Sequence, residues 1–414
     1  MVKIIDPKLC VKCKGRLWCG LPRCPILEQR ARIQSYTPKD VEIDAPTPPA
    51  VFVGWHNYPK VEVSPMEAVK HVEMAEDPKR WRELGIEEIV DIRTALLRPT
   101  LQADVYSASN PPEKLLTVQE LVMSRRPVLV EAELEKLPKQ TVEFGQLIAP
   151  MGPKAPARRI EPQENPKADR KVEKYYYDEV KAEDAIVSLF DRGYDVYQLS
   201  RLLSAGIFGI PRNRKLVPTR WAITATDDII YRRKVAEIKH YEPVDAYYLY
   251  ESHLFDNHFY IILMPDVWGF ELIEAWAPGS VWYSGREPYL INDWEGYGGR
   301  DGYADNVGGS YYAARIAVIE HLLRTKRQAR TVIFREVHEG YYIPLGVWQV
   351  RENVRNAFEQ KPERFGTLNE VFDYLRPKLR IPVERWVSKS VLIGEKMKQR
   401  KITEWFAFNN TSAE

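Results

Sequence analysis

Residues 245–265 read DAYYLYESHLFDNHFYIILMP. Large apolar and polar side chains alternate on either side of Asp256-Asn257, the period-two pattern of half-buried strands around a turn. The stretch is therefore expected to be a β-hairpin. GFELIEAWAP (269–278) and SVWY (280–283) extend the strand signal beyond it. SYYAARIAVIEHLLRTKRQ (310–328) then changes period, with Ala314, Ile316, Ala317, Ile319 and Leu322 at helical positions. ARTVIFREV (329–337) and YYIPLGVWQVRENVRNAF (341–358) follow as strands and a helix. Strands interrupted by helices point to an α+β (mixed α/β) fold.

The first half carries more helix signal. Val51 to Val53 form a short buried strand after the Pro-rich residues 45–50. Residues 64–85 are expected to be helical, with Ser64 as N-cap and Gly85 near the stop. Residues 86–99 are expected to be a helix ended by Pro99, and 111–135 a helix followed by an apolar run. Residues 151–172 hold four prolines and no periodicity, which reads as a linker or long loop. The expected organisation is a four-cysteine element over 1–45, an α/β region over 46–150, the linker over 151–172, an α+β region over 173–390, and a flexible tail over 391–414.

The chain has 414 residues, 44% hydrophobic and 29% charged, with a net charge of +2. That is globular composition. No apolar run is long enough to predict a transmembrane helix, and MVKIIDPKLC does not read as a signal peptide. The expected location is cytoplasmic. Charge is uneven: residues 1–40 carry nine Lys and Arg against three Asp and Glu. A local basic patch suits a polyanion.

All four cysteines fall in CVKCKGRLWCGLPRC, residues 10–24. Cys10, Cys13, Cys19 and Cys24 have the clustering of metal ligands rather than of disulfides. Four thiolates around one ion suit zinc. The alternative is an iron–sulfur cluster, because Cys24 precedes Pro25. Residues 204–228, SAGIFGIPRNRKLVPTRWAITATDD, place Arg212, Arg214, Lys215 and Arg220 in a Pro-stiffened loop suited to phosphate contacts. A strand is expected to follow it, up to Asp227 and Asp228.

Residues 292–315, NDWEGYGGRDGYADNVGGSYYAAR, lead into the long helix. Gly308, Gly309 and Ser310 lie where free helical N–H groups would face a phosphate. Asp293, Asp301 and Asp305 are candidates for a second divalent metal in the 293–310 loop, or for a general base. The alternative is a Gly-rich structural loop capped by Ser310. Among the scattered histidines, His253 and His258 flank the hairpin turn and are read as sheet residues that meet across strands. No P-loop or H-E-x-x-H motif occurs.

The chain ends in KQRKITEWFAFNN (398–410). Ile402, Trp405 and Phe406 are spaced i, i+3, i+4, so one helical turn presents them on one face, with Gln399 just upstream. This matches the clamp-binding PIP box, Q-x-x-h-x-x-a-a. Docking of the tail on its own core is the alternative.

The four-cysteine element, VFVGWHNYPKV, GIPRNRKLVPTRW, VGGSYYAAR and the terminal motif together resemble the archaeal Nre family of DNA repair proteins, over almost the whole chain. The resemblance implies a role in repair of damaged DNA and binding to the sliding clamp, PCNA. It implies a zinc finger with Cys10, Cys13, Cys19 and Cys24 as ligands, and clamp contacts at Gln399, Ile402, Trp405 and Phe406. It implies no particular catalytic activity. A DNA-binding, clamp-tethered factor and a metal-dependent enzyme on DNA or nucleotide phosphates both stay open.

Overall fold

The computed structural model describes residues 13, 15–18, 24–139, 149–277 and 287–398. The chain forms two compact units: Met1–Val235 with Tyr342–Glu352, and Ala236–Tyr341 with Asn353–Glu414.

The first unit is built on a mixed sheet of β1 (Glu42–Thr47), β2 (Val51–Val53), β3 (Lys60–Pro65), β4 (Glu67–Ala68), β5 (Leu96–Asp104), β6 (Val128–Leu134) and β7 (Lys154–Pro162). Its order is β1-β6-β7-β5-β3-β2, with β4 also on β5, and only β5 and β7 run parallel. The expected linker is thus corrected in part: residues 154–162 are an interior strand. Pro153, just ahead of the strand, and Pro156 within it are asked by their neighbours only for carbonyls. Arg98 N–H donates to Pro153 O at 2.9 Å and Glu135 N–H to Pro156 O at 2.8 Å. Ala155, Ala157 and Ile160 point inward.

Three helix expectations also change. The helix expected over 86–99 ends at Thr94, and Pro99 lies inside β5. Ser64 lies in β3 opposite Phe52, and only Pro78–Trp81 of the 64–85 stretch is helical. The chain turns sharply at His71 and Glu76, both at positive φ, which no helix accommodates. Conversely, Thr219–Ile238 is one long helix rather than a strand up to Asp228. Its β-branched residues carry strand propensity. Burial of Ala222, Thr226 and Ile230 on one i, i+4 face overrides it. Inside the first unit, Arg351 from the returning segment forms a fully buried ion pair with Asp227 of this helix.

The second unit holds β8 (Tyr247–Leu254), β9 (Asn257–Met264), β10 (Gly269–Trp276), β11 (Tyr289–Glu295), β12 (Arg330–Val337) and β13 (Glu363–Phe365), in the order β11-β10-β12-β9-β8-β13. The expected hairpin is there. Its two-residue turn is Phe255-Asp256, one residue earlier than expected, with φ of 57° and 53°. β10 and β12 are parallel, joined through β11 and the helix Gly309–Thr325. That helix packs on the face of Phe270, whose ring meets Tyr311 at 5.0 Å. The opposite face, with Tyr260, Ile273 and Phe334, is covered by Leu368–Leu375, Val383–Lys389 and Val391–Lys398 through Trp386, Leu392 and Val371. Layers of helix on both faces of a mixed sheet confirm the α+β class.

Candidate nucleic-acid interface

Three loops of the first unit converge beside the edge of its sheet. The first follows β2 and carries Trp55, His56 and Tyr58. The second is the 3₁₀ turn Val105–Ser109, with Tyr106. The third is the basic loop 211–220, which runs into the helix that bears Trp221. Backbone hydrogen bonds lock them together: Val105 N–H donates to Pro59 O at 2.9 Å, and Leu216 N–H to Val105 O at 2.8 Å. Val53 N–H donates to Thr219 Oγ1 at 2.8 Å. Gly206, at φ +72°, has no room for a side chain: a Cβ would sit 2.7 Å from Ala108 Cβ and 3.1 Å from Lys215 O.

The convergence leaves large aromatic rings half in solvent. Tyr58 and Trp221 are each 46% exposed and Tyr106 is 53% exposed. Tyr58 and Trp221 lie 5.4 Å apart, and Trp55 stacks on His56 at 4.0 Å. Lys215 Nζ sits 4.8 Å from the Tyr106 ring centroid. Arg212, Lys215 and Arg220 are exposed on the same loop. Exposed π-faces interleaved with cations are what a flexible polyanion with planar bases can use: the bases stack and the phosphates pair.

Arg214 does not join the other cations. It is buried, its Nε donates to Gly209 O at 2.9 Å, and its Nη2 donates to Tyr176 O. Its guanidinium lies 4.5 Å from the Tyr176 ring centroid. Burial pushes its pKa down, against an upward pull from Tyr176. It shapes the loop from within instead of facing a phosphate. Alternation of charged residues along a loop gave no sign of which cation turns inward.

The 293–310 loop of the second unit is organised by Asp293. This carboxylate is buried, accepts the Val307 N–H at 2.8 Å and Asn306 Nδ2 at 3.3 Å, and pairs with Arg300 at 3.3 Å. Burial opposes the Arg300 charge, but Tyr311 and Asp293 outweigh it and raise its pKa. Asp301 and Asp305 are exposed. Among the described residues, these three carboxylates do not gather with other ligand-type side chains at one point; one ligand atom each of Asp256, His258 and His338 does, all within 4.8 Å of one another. Gly308, at φ +66°, is the N-cap of the long helix, so Ser310 is not its cap. Ser310 Oγ instead accepts a 3.4 Å hydrogen bond from Arg335, which is held by Glu274 and Asn257 in the core.

Of the cysteines, Cys10 and Cys19 lie outside the described residues. Cys13 is buried, and its Sγ accepts the Trp18 N–H at 3.4 Å. Cys24 is the N-cap of the helix Pro25–Tyr36. A backbone amide donating to the Cys13 sulfur is compatible with a metal-bound thiolate there. Gln399, Ile402, Trp405 and Phe406 lie outside the described residues, which end in the helix Val391–Lys398. No helix among the described residues is long and apolar enough to cross a membrane.

The family model described as Archaeal Nre, N-terminal, matches residues 18–283, and Archaeal Nre, C-terminal, matches 295–405. The chain is 39% identical over 366 residues to DNA repair protein NreA of Archaeoglobus fulgidus, covering 87% of this chain and 91% of that protein. It is 35% identical over 399 residues to DNA repair protein NreB of the same organism, covering 96% and 99%. DNA repair protein NreA of Haloferax volcanii is 39% identical over 342 residues, covering 79% and 81%. No solved structure matches the chain.

Proposed function

This chain belongs to the archaeal Nre family, and from that premise we propose that it acts in DNA repair as a DNA-binding factor tethered to the sliding clamp. The observation that carries the DNA-binding part is the exposed aromatic and basic surface of Tyr58, Tyr106 and Trp221 with Arg212, Lys215 and Arg220. Open rings favour unpaired bases over an intact duplex, whose bases are already stacked. Single-stranded or frayed DNA is therefore the preferred substrate in this reading. The basic residues supply the phosphate contacts that bring it there.

The N-terminal element would hold zinc through Cys10, Cys13, Cys19 and Cys24. Zinc there would stabilise a segment too short to build a core. Gln399, Ile402, Trp405 and Phe406 would seat the tail on the clamp and raise the local concentration of the chain on DNA.

The test is equilibrium binding of the whole chain to fluorescent single- and double-stranded oligonucleotides over a series of salt concentrations. The single strand should bind more tightly, with affinity falling as salt rises. Absence of binding at low salt, or a clear preference for intact duplex, would remove this reading.

A further inference from the structure

The hairpin turn and the end of the neighbouring strand bring three metal-type side chains to one point in the second unit. Asp256 occupies the turn, His258 is the second residue of β9, and His338 follows β12 directly. The strand register pairs Glu336 with His258 and Val337 with Asn257. His338 N–H then donates to Asp256 O at 3.1 Å, which closes the corner. We propose that Asp256, His258 and His338 form a binding site for a divalent transition-metal cation of the zinc type, separate from the cysteine element.

The donor atoms already face one another. One donor from each residue lies within 4.8 Å of the other two. His258 Nε2 is 3.2 Å and His338 Nδ1 is 3.8 Å from the same Asp256 oxygen, Oδ1. Ligands about 2.0–2.2 Å from zinc in a tetrahedron stand roughly 3.3–3.6 Å apart. Small side-chain adjustments therefore bring the set to coordination distance.

The surroundings match what a metal needs from its supporting groups. The other Asp256 oxygen, Oδ2, accepts the Gly340 N–H at 2.7 Å, which turns Oδ1 toward the imidazoles. His338 is buried, and its Nε2 has no hydrogen-bond partner. That atom lies 3.2 Å from Glu336 Oε1. Glu336 is itself fixed by the N–H groups of Ile381 at 3.0 Å and Arg380 at 3.3 Å. Carboxylate, imidazole and metal in line is the usual way a histidine ligand is oriented. Leaving a buried imidazole nitrogen unpaired is costly, and ligation through Nδ1 with Nε2–H turned to Glu336 removes that cost.

Access and selectivity follow from the same geometry. The Asp256 side chain is 36% exposed and His258 25% exposed, so a cation can enter from solvent. His253, paired with His258 across the hairpin at 4.6 Å between rings, borders the open side. Two imidazoles with one carboxylate favour zinc and its transition-metal neighbours over magnesium or calcium. Three protein ligands leave a fourth position for water.

The experiment uses the full chain carrying Cys10→Ser, Cys13→Ser, Cys19→Ser and Cys24→Ser, stripped of metal and dialysed against zinc or cobalt(II). About one ion per chain should bind. Bound cobalt should show d–d bands without thiolate charge transfer, and the melting temperature should rise with added zinc. His258→Ala and, separately, His338→Gln should weaken binding about tenfold or more and remove the thermal shift. If the cysteine-free chain binds no metal, or binds it equally well after both histidine substitutions, the proposal is overturned. Metal-independent stability changes in His338→Gln, with no binding in the parent, would make His338 an ion-pair partner of Asp256 and Glu336 instead.

Discussion

The rings of Tyr58 and Trp221 lie 5.4 Å apart and both stay 46% exposed, although one follows a short strand and the other starts a long helix. Stacking on bases is worth about 1–3 kcal/mol per base. Tyr58→Ala with Trp221→Ala should thus weaken single-strand binding roughly 10- to 100-fold and leave the salt dependence intact. Lys215→Ala or Arg220→Ala should instead lower the log–log salt slope by about 0.7 each on single strands. Anisotropy titrations separate the two effects, and equal slope changes in both sets would argue against stacking.

Elemental analysis addresses the cysteine element. Cys13→Ser should release about one zinc per chain and leave the main melting transition in place. A brown protein with several irons per chain would replace zinc with an iron–sulfur cluster at the same cysteines.

An isolated helical turn is unstable in water, so a one-turn motif of this kind gains its order from a partner. Trp405→Ala with Phe406→Ala should abolish clamp binding in calorimetric titration, at about 2 kcal/mol or more for each anchor. Thermal stability should hardly change. A drop in melting temperature with clamp binding retained would mean that the tail docks on its own core.

His321 is buried against Phe358, with ring centroids 3.9 Å apart, and burial followed by the nearby Arg324 pushes its pKa down to about 4. The folded protein therefore holds it neutral where the unfolded chain, near 6.5, would take a proton. Its contribution is present above about pH 6.5 and is lost as pH falls toward 4, on the order of 3 kcal/mol. His321→Phe should flatten the stability curve between those limits in urea melts. An unchanged slope would place the acid sensitivity elsewhere.

In the 293–310 loop, Asp293 and Asp301 differ in burial. Asp293→Ala removes the partner of Arg300 and of the Val307 N–H, so it should cost about 3 kcal/mol in denaturant unfolding. Asp301→Ala, on the exposed surface, should change stability by about 0.5 kcal/mol or less. It should also leave DNA binding unaltered. A metal-dependent nuclease or nucleotide-turnover activity that Asp301→Ala abolished would instead make the loop catalytic.

What the sequence determined was local. The period-two run at 247–264 and the helical period at 310–325 each set their own element, because side-chain direction repeats within a few residues. The clustered cysteines, the basic loop and the terminal motif were legible for the same reason. Tertiary structure decided what local periods do not carry. It made a strand of the Pro-rich 154–162 by offering partners that needed only carbonyls, and a helix of the β-branched 219–238 by burying one face. It turned Arg214 inward while leaving Lys215 out, spread Asp301 and Asp305 into solvent, and set Tyr58 beside Trp221. His338 reached Asp256 and His258 only through the β9–β12 register. These juxtapositions join residues far apart in the chain, and they are fixed by strand pairing and burial summed over the whole core, so no short stretch contains them.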